Sequence, residues 1–578
     1  MIGFKAHKKN KISKKASKSK QEQCITITSA LPYVNGVKHL GNLVGSMLPA
    51  DIFHRFMDAF GVPNIYICGT DEHGTPTEIA AAEEGMTPKE YSEKYHMIQK
   101  EIYHRWGFDF SFFGRTSSKN HHDTTRQLFL VIDKNGFITS DTLTLPYCQH
   151  CKKYLPDRFI EGTCPKCGYQ LARGDQCENC GKLLDPMELE NPHCNICKKN
   201  DTIIFKKEKH LFLNLTKVQD DLKKWVSKNK YWSPNVRNFA LGWINEGLKP
   251  RCITRNLSWG IPVPKKGYEH LVFYVWFDAP IGYISMTKDW AEHNKTGWEK
   301  WWLEGKKPKI YHFLGKDNIP FHTVIWPSIL IAGKSKKTNF SLPYDVVGYE
   351  YLNWEGQKFS TSRRIGLFSD EALRLFPADY WRYYLSSVLP EKKDSNFEWD
   401  DFQKRINNEL IANYGNLFYR VTSFIVGSFG YVPRPNKPAS QEKELVEKIK
   451  QSTKKVEKLV RDVRLRDALK EMMALSDETN RYFQNKEPWF SIKNKTTRGD
   501  AATTVYYAVN ATRTITTMLK PYIPRTAEHA LECLKVEKRK LGWKNINDFL
   551  IKPGHKISTE ILFEKIKDEE IEAAKRFK

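Results

Sequence analysis

The chain lacks any apolar run long enough to cross a bilayer as a helix, which excludes a transmembrane span of that kind. Acidic residues are in short supply, since 67 Asp and Glu stand against 92 Lys and Arg, for a formal net charge of +25. That surplus suits a polyanionic partner, with an anionic membrane surface as its competitor. The first twenty residues, "MIGFKAHKKNKISKKASKSK", hold eight lysines and no acid at all. They lack the apolar core of a secretory signal and the arginines usual in a transit peptide, with an organellar address left as the alternative. With so little to bury, residues 1–22 read as a disordered basic tail whose lysines are solvated or add affinity for phosphates. Cysteine is nearly absent beyond residue 200, and ten of the twelve precede it, eight of them in CxxC pairs. Such spacing argues against a disulfide framework and for a metal in a reducing, cytoplasmic compartment.

At 578 residues the chain is too long for one core, and its texture changes along its length. "CITITSA" alternates and is rich in β-branched residues, so it reads as a strand. "LVGSMLPADIFHRFMDAFG" has helical apolar spacing and stops at Gly61. Between them lies "LPYVNGVKHLGN", a Gly-marked turn that opens a helix, which is a natural place for a phosphate. His39 sits at the mouth of that helix, though a plain βα turn with a surface histidine would read the same way. "NIYICGTDEHGTPTE" and "KKPKIYHFLGKDNIPFHTVIWPSIL" repeat the strand–Gly–helix logic, which points to a parallel doubly wound sheet with ligands beyond its carboxyl ends. After about residue 413 long amphipathic stretches such as "QEKELVEKIKQSTKKVEKLVRDVRLRDALKEMMALSDETNRYF" indicate an all-α domain, interrupted by "YVPRPNKPAS".

Two further motifs carry chemistry. The pairs Cys148/Cys151, Cys164/Cys167, Cys177/Cys180 and Cys194/Cys197 are knuckles, and two knuckles complete a tetrahedral zinc site. Four sulfur ligands leave no open position, so the zinc is structural, with His150 and His193 as bystanders. In "GQKFSTSRRIGLF", Lys358, Arg363 and Arg364 surround small hydroxyl residues and could clamp a triphosphate, although charged loops are also commonly just solvated.

Taken together, these motifs resemble those of one family. "HLGN" is similar to the HIGH signature and "KFSTS" to the KMSKS signature of class I aminoacyl-tRNA synthetases. "SALPYVNG", "GTDEHGTP", "VWFDAPIGY", "FLGKDNIPFH" and the knuckle-bearing insertion narrow the resemblance to methionyl-tRNA synthetases, of the archaeal and eukaryotic cytosolic kind, from about residue 24 to at least 490. The implied architecture is a Rossmann-type parallel-sheet domain in two halves, 23–118 and 274–348, with a knuckle insertion at 119–273. A KMSKS-loop and stem-contact region at 349–412 and a helical-bundle anticodon-binding domain at 413–578 complete it.

The implied activity is ATP-dependent methionine–tRNA ligation, with Mg2+ accompanying ATP, tRNA(Met) as partner, and a monomer in the cytoplasm. The resemblance assigns ATP to His39, Gly41, Asn42, Gly315, Asp317, Lys358, Thr361 and Arg363, with His39 and Lys358 catalytic. Adenine is expected to lie flat on Gly41, Asp317 to hold the ribose hydroxyls, and Asn42 to stand in for the second histidine of HIGH. Methionine is assigned to Leu31, Tyr33, Trp276, Pro280, Tyr283 and His322, with Asp71 on its ammonium. Asn416, Arg420 and Trp489 are assigned to the anticodon. It also implies an inner zinc site from Cys164, Cys167, Cys177 and Cys180, which leaves Cys148, Cys151, Cys194 and Cys197 for an outer one; side-by-side pairing is the alternative. Thr361 departs from the family's second lysine, and Arg363 or Arg364 is expected to supply the missing cation. Two other readings stand beside this one: a class I synthetase for another amino acid, and a non-catalytic zinc and RNA-binding protein that kept a synthetase fold.

Overall fold

The computed structural model describes residues 23–576 apart from 156–158, 175–176, 178, 181–183, 200–201 and 362–363. The basic tail and Arg363 therefore lie outside the described residues.

Seven strands organise the first two-thirds of the chain: β1 (Ile25–Ser29), β2 (Asn64–Thr70), β3 (Phe112–Arg115), β4 (Ile138–Cys148), β5 (Ile203–Leu213), β6 (Lys309–Gly315) and β7 (Asp345–Tyr349). Five of them form a wholly parallel sheet in the order β7-β6-β1-β2-β3. Both faces of the sheet are covered, because side chains alternate along each strand. Tyr66 and Cys68 of β2 and Tyr311 and Phe313 of β6 join one core, with helix Leu48–Ala59. Ile65, Ile67, Ile310 and Leu314 join the other, with helices Gly282–His293 and Trp326–Ala332. The chain leaves β1 toward β2 on one side and returns as β6 on the other, so the strand order reverses between β1 and β6. A ligand crevice is expected at that reversal, outside the carboxyl ends.

β4 and β5 pair antiparallel along their whole length, from Ile138↔Leu213 to Cys148↔Ile203, and carry the knuckles at their far end. A separate small core there, including Leu155, Ile160 and Leu189, packs against Ile79 of the catalytic part and Leu257 further along the insertion.

The C-terminal part is helical, with helices Asn416–Ser428, Ser440–Arg461, Leu465–Lys486 and Arg498–Leu519. The long amphipathic stretch is thus two helices, where apolar spacing alone gives no break. Val463 breaks it in a left-handed conformation (φ 53°), which a β-branched residue adopts only under constraint. Arg464 N–H donating to the Leu459 carbonyl (2.8 Å) and Val463 N–H to Val460 (2.9 Å) satisfy the helix end. Among the described residues no helix is long and apolar enough to cross a membrane.

Candidate functional site

At the β1/β6 reversal lies a cleft of about 500 Å³. It is lined by Leu31, Tyr33, His39, Gly41 and Asn42 after β1, and by Asp71 after β2. Trp276, Pro280 and Tyr283 line it from the "VWFDAPIGY" segment, Gly315, Asp317 and His322 from beyond β6, and Lys358 and Thr361 from the KFSTS loop. Every described residue assigned to ATP or methionine by sequence therefore faces one space.

His39 caps the short helix Leu40–Asn42 in a reciprocal box. The Asn42 N–H donates to His39 Nδ1, and the His39 N–H donates to Asn42 Oδ1, each at 3.3 Å. Burial and the charge of Lys38 push the imidazole down to about 3. His39 is consequently neutral, with its proton on Nε2 and free to donate. It can therefore serve a phosphate oxygen as a neutral donor, not as a cation.

Gly41 departs from expectation. A Cβ there would meet Phe359 Cδ2 at 3.0 Å and His39 Nδ1 at 3.1 Å. The Phe359 ring lies stacked on His39, with centroids 4.7 Å apart, so protein rings rather than open space cover this glycine. At Gly315 a Cβ would meet no protein atom, so the fold's own packing does not demand glycine there. Asp317 accepts from the Tyr351 hydroxyl.

The apolar end of the cleft is built from rings. Trp276 donates through Nε1 to the Tyr33 hydroxyl (3.3 Å) and lies edge-on to Phe321 at 4.2 Å. His322 Nδ1 donates to the Asn318 carbonyl (3.0 Å), and burial lowers its pKa to about 4. Nε2 is then the acceptor, and the Tyr283 hydroxyl donates to it at 2.9 Å. Backbone pairing sets Asp71 beside Tyr33, through Val34 N–H to Asp71 O (3.1 Å) and Asp71 N–H to Pro32 O (2.8 Å). Its Oδ1 is buried without a hydrogen-bond partner among the described residues. Burial, with Asp278 and Glu72 nearby, raises its pKa well above the ordinary carboxylate range. A buried acceptor left open beside a ring of soft, polarizable groups suits a ligand with an ammonium and an apolar tail.

Sequence reasoning missed several lining residues: Lys38, Phe321, Tyr351 and Phe359. Lys38 carried a signal, as the one charged residue in "TSALPYVNGVKHLGNLVGS". Arg364, expected in the phosphate clamp, is 78% exposed and faces Glu371 at 3.8 Å instead of the cleft.

The eight knuckle thiols gather in two tetrads, nested as the resemblance implies. Outer Sγ pairs lie 3.7 Å (Cys148–Cys197) and 3.8 Å (Cys151–Cys194) apart. Inner pairs are 3.9 Å (Cys164–Cys180) and 3.6 Å (Cys167–Cys177). A zinc tetrahedron with bonds of about 2.3 Å has edges of about 3.8 Å, so both tetrads fit that ion. His193 faces Glu161 at 3.6 Å and His150 is exposed.

In the helical part Asn416 and Arg420 line a second groove of about 1080 Å³ with Lys392, Lys393, Arg466 and Arg481. Arg420 donates to Gln484 Oε1 (2.8 Å) and lies 5.6 Å over the Trp489 ring, which is half-buried. Trp489 follows Glu487, in the left-handed region at φ 40°, and Pro488, which opens a new helical turn.

Comparison with known proteins agrees with both parts of this geometry. Residues 25–422 match the family described as tRNA synthetases class I (M), and residues 432–578 match the anticodon binding domain of methionyl tRNA ligase. Methionine–tRNA ligase 1 of Acaryochloris marina is 42% identical across 94% of this chain and 97% of its own. The Pyrococcus furiosus methionine–tRNA ligase is 42% identical across 94% of this chain and 76% of its own. The human cytoplasmic enzyme is 40% identical across 96% of this chain, which spans 61% of that protein's length. Among solved structures, Mycobacterium tuberculosis methionyl-tRNA synthetase bound by methionyl-adenylate superposes with a TM-score of 0.79 at 21% identity, over 94% of this chain and all of that one. With the sheet reversal, the knuckled arm and the helical domain all in one chain, and sequence matches along nearly its full length, the chain belongs to the methionyl-tRNA synthetase family of class I aminoacyl-tRNA synthetases.

Proposed function

We propose that this chain is a methionine–tRNA ligase that activates methionine with Mg-ATP and transfers it to tRNA(Met). The observation that carries the reading is the unpartnered carboxyl oxygen of Asp71 buried beside the Trp276–Tyr33 ring cluster, in the same cleft as His39 and Lys358.

Asp71 takes the α-ammonium of methionine. Leu31, Tyr33, Trp276, Pro280, Tyr283 and His322 surround the thioether, where sulfur–ring contacts are worth about 0.3–1.5 kcal/mol each. Tyr283 spends its proton on His322, so the ring presents no spare donor to the side chain. Asp317 and Gly315 hold the ribose, and Gly41 and Asn42 lie under the nucleotide. For adenine to rest on Gly41, Phe359 has to swing off His39. A methionine carboxylate oxygen then attacks the α-phosphorus, the bond to the bridging oxygen breaks, and pyrophosphate leaves. His39 Nε2–H donates to a phosphate oxygen, and Lys358 and Thr361 hold the departing group, with Arg363 a further candidate in the loop. Next, a terminal ribose hydroxyl of tRNA attacks the acyl carbon, forming the ester, and AMP leaves. No side chain forms a covalent intermediate; positioning and charge stabilisation do the catalysis.

The two thiolate tetrads would each hold a structural Zn2+ that ties the insertion together, and their unbridged thiols favour a reducing, cytoplasmic setting. The basic groove at Asn416 and Arg420 would receive tRNA, with Trp489 stacking on an anticodon base.

Amino-acid-dependent ATP–pyrophosphate exchange tests the reading. Methionine is expected to drive exchange, with leucine and cysteine far weaker. Equal exchange with those amino acids, or none with any, overturns it.

A further inference from the structure

The reaction proposed above brings a carboxylate against a triphosphate, so negative charge concentrates where the two meet. Cations able to face that charge are few in this cleft. Among the described residues lining it, only Lys38 and Lys358 are lysine or arginine, against Asp71, Asp317 and Glu350. Lys358 lies on the exposed rim, 5.5 Å over the Tyr351 ring. Thr361 is uncharged, and Arg364 is turned to Glu371. Lys316, next to Asp317 in sequence, is held by Glu350 (2.7 Å) and Asp394 (2.8 Å).

Lys38 is different in kind. It is 5% exposed, and of its three N–H donors one is used, on Asn35 Oδ1 at 2.6 Å. Its backbone is fixed, because the Lys38 carbonyl accepts from Ser369 N–H (2.8 Å) and Leu40 N–H donates to Leu367 O (3.0 Å). It lines the cleft together with Asp71 on the amino-acid side and His39 on the nucleotide side. We propose that Lys38 faces substrate as the interior cation of the activation step, meeting the charge where the methionine carboxylate and the α-phosphate come together. This assignment rests on the methionine–tRNA ligase reading.

The electrostatics agree with that position. Burial brings Lys38 down to about 7, the nearby Asp71 carboxylate pulls the other way, and Lys38 in turn depresses His39. A buried ammonium that, among the described residues, has two open donors and no anion in hydrogen-bond contact is poorly solvated when the cleft is free. An incoming phosphate restores its partner, and the interaction strengthens as charge builds toward the transition state, where a preorganised cation is most effective.

The test is ATP–pyrophosphate exchange on Lys38→Met, Lys38→Gln, Lys38→Arg and the pair Lys38→Met with Thr361→Lys, beside the unaltered chain. Melting temperatures report folding. Both neutral variants are expected to lose about tenfold or more in kcat, with the KM for methionine moving less than about threefold, as for an interaction made mainly in the transition state. Lys38→Arg recovers most of the rate, and Thr361→Lys recovers part of it by returning a cation to the cleft. Lys38→Gln keeps a donor for Asn35, so it carries the result if the Met variant melts early. Unchanged kcat in the neutral variants overturns the assignment. So does a rise confined to the methionine KM, which makes Lys38 only a companion of Asp71. Absence of methionine-dependent exchange in the unaltered chain overturns the ligase reading itself, which separates the two failures.

Discussion

Asp71 shows how one carboxyl group can set the conditions for binding. It is buried near two other acids, Asp278 and Glu72, so its pKa is raised well above the ordinary range. Against its burial, Asp278 is itself held as a carboxylate by His121 (Nε2 4.0 Å away) and His73 (Nδ1 2.6 Å away), so its charge bears on Asp71. A raised pKa means that Asp71 is protonated over a wider span of pH than a free carboxylate. The methionine ammonium needs the ionised form, so binding at low pH must expel a proton from Asp71. The sign follows: the KM for methionine should fall as pH rises through the range where Asp71 ionises, which lies above that of an ordinary carboxylate, and level beyond it. Asp71→Asn should raise that KM by about tenfold or more and flatten the profile, since a charge-assisted bond to an ammonium is lost. A pH series of exchange kinetics measures this, and an unchanged slope in the Asn variant would place the titration elsewhere.

The insertion behaves as an element with two separable closures. Cys148 ends β4 and Cys194 ends the strand Glu190–Cys194, so the outer tetrad locks the base of the arm, whereas the inner tetrad closes only the tip. Metal analysis should therefore find two zinc ions per chain. Cys167→Ser is expected to release one ion and leave exchange near normal. Cys148→Ser should release the other and lower the melting temperature further, because the β4–β5 ladder and its contact with Ile79 and Leu257 depend on that end. Loss of both ions from the Cys167 variant would refute independent sites. The four knuckles were legible from sequence because CxxC spacing is local, as were the Gly-marked turns after β1 and β6, whereas their nested pairing came from the family resemblance alone. What escaped notice was decided by tertiary packing. Val463 breaks a helix with no Gly or Pro to announce it, and Phe359 leaves its loop to cover His39. Lys38 stands out in sequence only as a lone charge; its burial, and the backbone bond that ties it to Ser369, are set by the fold. Arg364 was misplaced for a related reason: its left-handed backbone (φ 50°) and Glu371 turn the side chain outward, and neither is visible in "STSRRIG".

Across the whole molecule, one buried residue joins three parts of the chain. Arg382, on helix Ala378–Ser387, donates to Asp51 of the helix that follows HLGN (2.6 Å) and to the Pro521 and Tyr522 carbonyls (2.8 and 3.0 Å). Phe56 of that same helix packs against Tyr522 with ring centroids 5.8 Å apart. The helical domain is therefore built onto the catalytic helix through a shared core, yet Trp489 is absent from the residues that line the catalytic cleft. Amino-acid activation needs only the cleft, whereas transfer to tRNA needs cleft and helical domain together. Trp489→Ala should accordingly separate the two reactions. Losing a base stack costs about 1–3 kcal/mol, roughly a five- to 150-fold fall in kcat/KM for tRNA aminoacylation. Exchange without tRNA should stay within about twofold of normal. The rival role for Trp489 is packing, since its ring meets Phe483 edge-on at 6.1 Å and supports Arg420. Trp489→Phe distinguishes the roles: it keeps an aromatic face for stacking and should recover much of the aminoacylation rate. A parallel fall of exchange and aminoacylation in Trp489→Ala, with an early melt, would show that the indole serves the core and that base recognition lies on other residues of the groove.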